Sequence, residues 1–194
     1  MPAGPSAGRR RTASAQPPRT GIPLDDAVPD VLAPGLDVVF CGINPGFHSA
    51  AAGHHFAGPG NRFWPSLHAA GFTDRQLRPD EVGLLPRYGC GITNLVTRTT
   101  ARADELTVRE LEAGRHALEE KLGVFTPKWL AVLGVGAYRA AFGDRRASPG
   151  RQDRTIGNTR VWLLPNTSGL NAHYRPADFA RHFADLRQAV LAGG

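Results

Sequence analysis

The sequence has little sulfur: its 194 residues include 2 Cys, and Cys41 and Cys90 stand in apolar segments without metal-ligand spacing. A disulfide framework and a cysteine-built metal centre are thereby excluded as the basis of the fold. The expectation is two buried, reduced thiols, with a single bridge between them as the alternative. The chain also lacks any apolar run near the roughly 18 residues that cross a membrane, and its first residues lack the apolar stretch of a secretory signal. A soluble, cytoplasmic protein is expected. What is present, 41% hydrophobic and 8% aromatic residues, suffices for one domain with a core and excludes a disordered or fibrous chain.

Acidic residues are missing from three stretches, Val38–Thr73, Val82–Ala103 and Arg154–Ala177, while each carries Arg and the first and third also carry His. If these segments meet, they form a surface that tolerates a polyanion. The alternative is that core strands and glycine loops are simply poor in acids. The net charge of +6 is less informative, because Arg9, Arg10, Arg11 and Arg19 stand without one acid in the first 20 residues. The rest carries 19 basic against 17 acidic residues.

Residues 1 to about 30, rich in Pro, Ala, Gly, Ser and Arg without hydrophobic periodicity, read as a mobile basic tail. From Leu36 onward, short apolar runs alternate with helical patterns. Leu36–Ile43 predicts a buried strand ended by Asn44-Pro45-Gly46, after which a loop rich in Gly and His is expected. Phe63, Trp64, Leu67 and Ala70 recur at helical spacing, and Cys90–Val96 is a second strand leading into Thr97, Arg98, Thr99 and Thr100. Thr107 and Glu110 have the spacing of a capping box ahead of Leu111, Leu118 and Leu122. Trp129–Leu133 is a third strand and Val161–Leu164 a fourth. Phe179, Phe183, Leu186 and Val190 line a last helix opened by Pro176. The alternation predicts a single three-layer α/β/α domain, residues 31–194, around a mostly parallel sheet, with its ligand outside the C-terminal strand ends. Loops leave such ends at Asn44, Asn94 and Asn166.

Asn44 is the first candidate for chemistry. A carboxamide is no base near neutral pH, but at a strand end, in a turn shaped by Pro45 and Gly46, it can accept from a water and orient it. An ordinary Asn-Pro-Gly turn has the same sequence. Gly134-Val135-Gly136 begins a dinucleotide fingerprint, yet its third position is Arg139 and no second strand ends in an acid at ribose-binding distance. It reads as a tight strand-to-helix turn.

The run Phe40-Cys-Gly-Ile-Asn-Pro-Gly46, continued by Gly53-His-His-Phe-Ala-Gly-Pro-Gly-Asn-Arg-Phe-Trp64, closely resembles the mismatch-specific uracil/thymine-DNA glycosylases of the uracil-DNA glycosylase superfamily. Gly91–Val96 with Arg98-Thr99-Thr100 is similar to their second loop, and Asn166–Leu170 to their DNA-intercalation loop. The resemblance implies a monofunctional enzyme that flips uracil, and related damaged bases, out of duplex DNA opposite guanine. It would hydrolyse the glycosidic bond and so initiate base excision repair, with no metal and no cofactor. It implies that Asn44 positions the water, that donors around Ile43 support the departing base, and that Phe56 stacks on it. His55 would line the pocket, Ser49 would sit near the pyrimidine C5, and Asn94 would bond the polar edge of the base. Leu170 would be the wedge, flanked by Gly169 and Asn171, whose backbone or side chain meets the widowed guanine, with Ser168 as a further DNA contact; without the resemblance, Leu170 reads equally as folded back on the core. Thr167 and Asn171 depart from the usual Pro or Ser and Ser. Arg62, Arg98 and Arg175 are candidate phosphate contacts, and a monomer is implied. The alternatives are a glycosylase for another lesion, such as a deaminated purine or an exocyclic cytosine adduct, a non-catalytic mismatch binder, and, third, a nucleotide-binding oxidoreductase.

Overall fold

A computed structural model describes residues 28–193. Val38–Gly42 (β1), Cys90–Asn94 (β2), Trp129–Leu133 (β3), Gly150–Ile156 (β4) and Thr159–Leu164 (β5) form one sheet in the order β2-β1-β3-β5-β4. β2, β1, β3 and β5 run parallel, and β4 is antiparallel to β5. β1, β2 and β3 are buried along their whole length, which is why they read as unbroken apolar runs.

The pleat of these strands divides the core into two. Val39, Cys41, Leu130 and Val132 point to the layer made by Val108–Phe125 (α3) and Val135–Phe142 (α4), where they meet Leu118, Leu122 and Tyr138. Val38, Phe40, Ala131 and Leu133 point the other way. They pack on Phe63–Ala69 (α2) and Pro176–Leu191 (α5) through Phe63, Leu67, Phe183 and Leu186. The result is the expected α/β/α arrangement. Cys41 and Cys90 are both buried free thiols, and burial pushes each up to about 12.

Besides the 3-10 helices Pro79–Tyr88 and Ala103–Glu105, two elements escaped the sequence pattern. β4, Gly-Arg-Gln-Asp-Arg-Thr-Ile, is a half-exposed edge strand that needs no apolar face, so Val161–Leu164 belongs to the fifth strand and not the fourth. Its one local signal is the two-residue Gly157-Asn158 turn into β5. The glycine- and histidine-rich segment after Asn44, expected as a loop, opens with a short helix, Phe47–Ala52 (α1), closed by the left-handed Gly53. The basic tail lies outside the described residues except at its end. There Val31 exchanges two backbone hydrogen bonds with Ile92, along the outer edge of β2.

This topology locates the ligand region. The chain leaves β1 for β2 on one side and returns to β3 on the other, so a crevice opens above the C-terminal ends of β1 and β3. Asn44 follows one of those strands and Gly134 the other.

Candidate active site

Gly42 ends β1 where only hydrogen fits: a Cβ would strike Asn94 Oδ1 and lie 3.2 Å from Phe56 Cζ. Across the crevice, a Cβ on Gly134 would come within 2.6 Å of Ile43 Cδ1. Gly134, at φ 149°, caps α4 directly after β3, so Gly-Val-Gly is the tight turn expected of it.

Asn44 itself is held by both amide hydrogens. Its Nδ2 donates to Arg98 O at 2.8 Å and to Thr100 Oγ1 at 2.7 Å. The Thr100 hydroxyl gives its own hydrogen to Arg102 O at 2.7 Å, which leaves its lone pairs to receive Asn44. Among the described residues no hydrogen bond reaches Asn44 Oδ1, so the side chain presents a fixed acceptor. Thr100, buried and unassigned by sequence reasoning, sets this polarity together with Arg98 O. The only hint was its place in a Thr-rich loop.

Arg98 does not serve as an unpaired cation. Its Nε stands 2.6 Å from Glu110 Oε1 and its Nη2 donates to Glu105 O. Glu110 also closes the capping box on Thr107 N. The Arg98 guanidinium, followed by hydrogen bonds from Thr107, holds the Glu110 carboxyl down at about 2. In this structure Arg98 is a brace that ties the Asn94 loop to α3, its guanidinium paired with Glu110.

His55, Phe56, Asn94 and Ser49 converge beside this turn. His55 is buried, with Nε2 3.0 Å from Pro29 O and Nδ1 3.4 Å from Asn94 Nδ2, and burial lowers its pKa. Phe56 adopts φ 53°, uncommon for a residue with a side chain, and stacks on Phe63 at 4.3 Å. Ser49 is buried in α1, and its Oγ accepts from Ala57 N at 3.1 Å, fixing the stretch that carries Phe56.

The third loop is braced from within. Asn166 Oδ1 accepts from Ser168 N at 3.0 Å, and Asn171 Nδ2 donates to Asn166 O at 2.8 Å. Asn171 Oδ1 accepts from His173 N, so the oxygen and one amide hydrogen are engaged in shaping the loop. Gly169 is pressed on the Gly58–Gly60 turn: a Cβ there would lie 2.7 Å from Pro59 O. Arg62 ties the same contact, its N donating to Thr167 O and its Nη1 to Ser168 O, with the guanidinium over Phe179 at 5.6 Å. Leu170, on this brace, is 77% exposed and does not fold back on the core. Thr167 is fully buried with an unpartnered hydroxyl. Arg175 N caps α5 by donating to Asp178, and its side chain is exposed.

The three acid-free stretches do meet. The first reaches the second through Asn44 and Gly46 to Thr100, and the third through Gly60 and Arg62 to Thr167–Gly169. Core strands alone would not require their exposed loops to adjoin. Among the described residues no cluster of three or more His, Cys, Asp or Glu could hold a metal ion. The arrangement offers a fixed amide acceptor, an aromatic face and an exposed apolar side chain along one edge. Over residues 29–187 the chain matches the family model described as the uracil DNA glycosylase superfamily.

Proposed function

We propose that this chain, which belongs to the uracil DNA glycosylase superfamily, flips uracil from duplex DNA, prefers it opposite guanine, and hydrolyses its glycosidic bond as the first step of base excision repair. The observation that carries the reading is Asn44, whose two amide hydrogens are taken by Arg98 O and Thr100 Oγ1 so that Oδ1 meets the site. That oxygen accepts a hydrogen bond from water and aims it at the sugar carbon. The C1′–N1 bond breaks with its electron pair leaving on the base, water oxygen bonds to C1′, and the water proton goes to solvent or base. The products are free uracil and an abasic site.

Phe56, stacked on Phe63 by one face, takes the flipped base on the other. Leu170 fills the vacated stack, held outward by Gly169 against Pro59. A guanine partner favours flipping because a mispair costs least to open. With Asn171 Oδ1 and one of its amide hydrogens engaged within the loop, the remaining amide hydrogen and the backbone of Gly169 and Leu170 contact the widowed base. Thymine and other modified pyrimidines are secondary substrates in this reading, and the enzyme acts as a monofunctional monomer on DNA in the cytoplasm.

The test is single-turnover base release from matched duplexes holding uracil opposite guanine, uracil opposite adenine or thymine opposite guanine, and from single-stranded uracil DNA, with Asn44→Ala alongside. Release fastest opposite guanine, and slowed about 100-fold or more in the variant, supports the reading. Duplex binding without release from any of them returns the protein to another lesion or to mismatch binding alone.

A further inference from the structure

Five residues outside the Asn44 turn close a hydrogen-bonded ring beside the base pocket. Asp30 Oδ1 accepts from Thr93 Oγ1 at 2.7 Å, and Asp30 Oδ2 pairs with Lys121 Nζ of α3 at 2.6 Å. Thr93 is joined through the chain to Asn94, whose Nδ2 is 3.4 Å from His55 Nδ1. His55 Nε2 is 3.0 Å from Pro29 O, and Pro29 is joined through the chain to Asp30. Thr93 and His55 are buried, at 0% and 2% exposure, and Val31 zips the next residue onto Ile92 with bonds of 2.9 Å each way.

We infer that the Asp30–Thr93–Lys121 clamp is a positioning device that fixes the His55 tautomer and, through it, the polarity of the Asn94 amide. A carbonyl can only accept, so Pro29 O requires the ring hydrogen at Nε2. Nδ1 then carries the lone pair and needs a donor, which Asn94 Nδ2 supplies. Asn94 Oδ1 is thereby turned toward Gly42 and the Phe56 ring, where a Cβ on Gly42 would strike it. An oxygen in that place accepts the N3–H of uracil and repels the N3 lone pair of cytosine. Reversing the amide would invert the choice. Asp30 reaches this site without touching a base, through the 29–31 strap it anchors. His54, Asp30 and Lys121 are the charged or titratable groups that act on the His55 ring, and its burial keeps it neutral. The inference rests on the reading of Asn94 as a base contact.

The test is long-range proton–nitrogen NMR of the histidine rings at pH 7 in wild type, Asp30→Ala and Lys128→Met, with uracil release measured on the same samples. Lys128→Met removes an exposed ion pair to Asp37 outside the ring and serves as the control. His55 is expected as a neutral ring protonated at Nε2 in wild type and in the control. In Asp30→Ala it should move toward a mixture of tautomers while uracil release slows about tenfold. A wild-type ring protonated at Nδ1 or at both nitrogens overturns the inference. So does an unchanged ring in Asp30→Ala, even with slower release, since that is loss of stability alone. A shifted ring in a protein that releases no uracil from any duplex upholds the clamp and overturns the proposed activity.

Discussion

A carboxamide has one donor end and one acceptor end, and chemistry at Asn44 depends on which faces the site. Arg98 O and Thr100 Oγ1 decide this together, the carbonyl because it can only accept and the hydroxyl because its hydrogen is committed to Arg102 O. Thr100→Val keeps the shape and removes the acceptor, leaving a buried amide hydrogen without one of its partners at a cost of about 1–3 kcal/mol. Base release is expected to fall about 10-fold or more with duplex affinity unchanged, read by single-turnover kinetics beside equilibrium binding. Ser49 acts on the other side of the pocket. Its hydroxyl oxygen is anchored by Ala57 N, and in the proposed reading it stands where it would crowd a methyl at C5. Ser49→Ala should raise the rate of thymine release relative to uracil, and an unchanged ratio in parallel assays removes the crowding account.

Elements supply what single residues cannot: rigid placement of loops. The capping box of α3 and the Arg98 brace share one carboxylate, so the start of a helix and the loop holding Asn44 stand on Glu110. Its folded pKa of about 2 lies below the ordinary 4.5, so its contribution is present above pH 4.5 and is lost as pH falls through about 2. The thermal midpoint of Glu110→Gln should therefore lie below wild type at pH 7, and the gap should narrow toward pH 2 in melts across that range. The Asn166–Asn171 loop is rigid in the same sense, bonded within itself and pressed on Gly58–Gly60. Leu170 is its exposed tip, so Leu170→Ala should slow uracil release by about 10-fold. The loss should be smaller where the base is already unpaired, as comparison of duplex with single-stranded substrate will show.

At the scale of the whole molecule, charge is organised by subtraction. Many arginines are paired with neighbours, as in Arg75–Glu81, Arg98–Glu110, Arg102–Asp104 and Arg115–Glu119, while the three acid-free stretches meet through their loops. In the proposed reading these loops accept DNA through absence of repulsion more than through excess cation. Arg9, Arg10, Arg11 and Arg19 add charge that the body does not neutralise by sequence proximity. Removing residues 1–27 should weaken duplex binding mainly at low salt and flatten the slope of log affinity against log salt by up to roughly 3–4, measured by a binding titration across ionic strength. Equal slopes in the two proteins would show that the tail makes no phosphate contact. The cut belongs before Val28, since Pro29 and Asp30 are bonded to His55, Thr93 and Lys121.

Continuous apolar runs, Asn-Pro-Gly at a strand end, the Thr107–Glu110 box and Pro176 are local statements, and they suffice for the parallel strands, the main helices and the three loops. Each arises from burial or backbone chemistry within a few residues. β4 left no such mark because an edge strand is stabilised by pairing with β5 and not by its own side chains. The state of each polar group was likewise decided only by tertiary contact. Arg98 reads as a cation until Glu110, on another element, cancels it, and Leu170 reads as core or wedge until Gly169 meets Pro59. Asn44 and Asn94 can present either end until Thr100 and His55 choose. Residue type specifies which bonds a side chain is able to make. Which of them remain for a substrate depends on the partners that folding brings, 12 positions away for Arg98 and Glu110, 39 for Asn94 and His55, and 56 for Asn44 and Thr100.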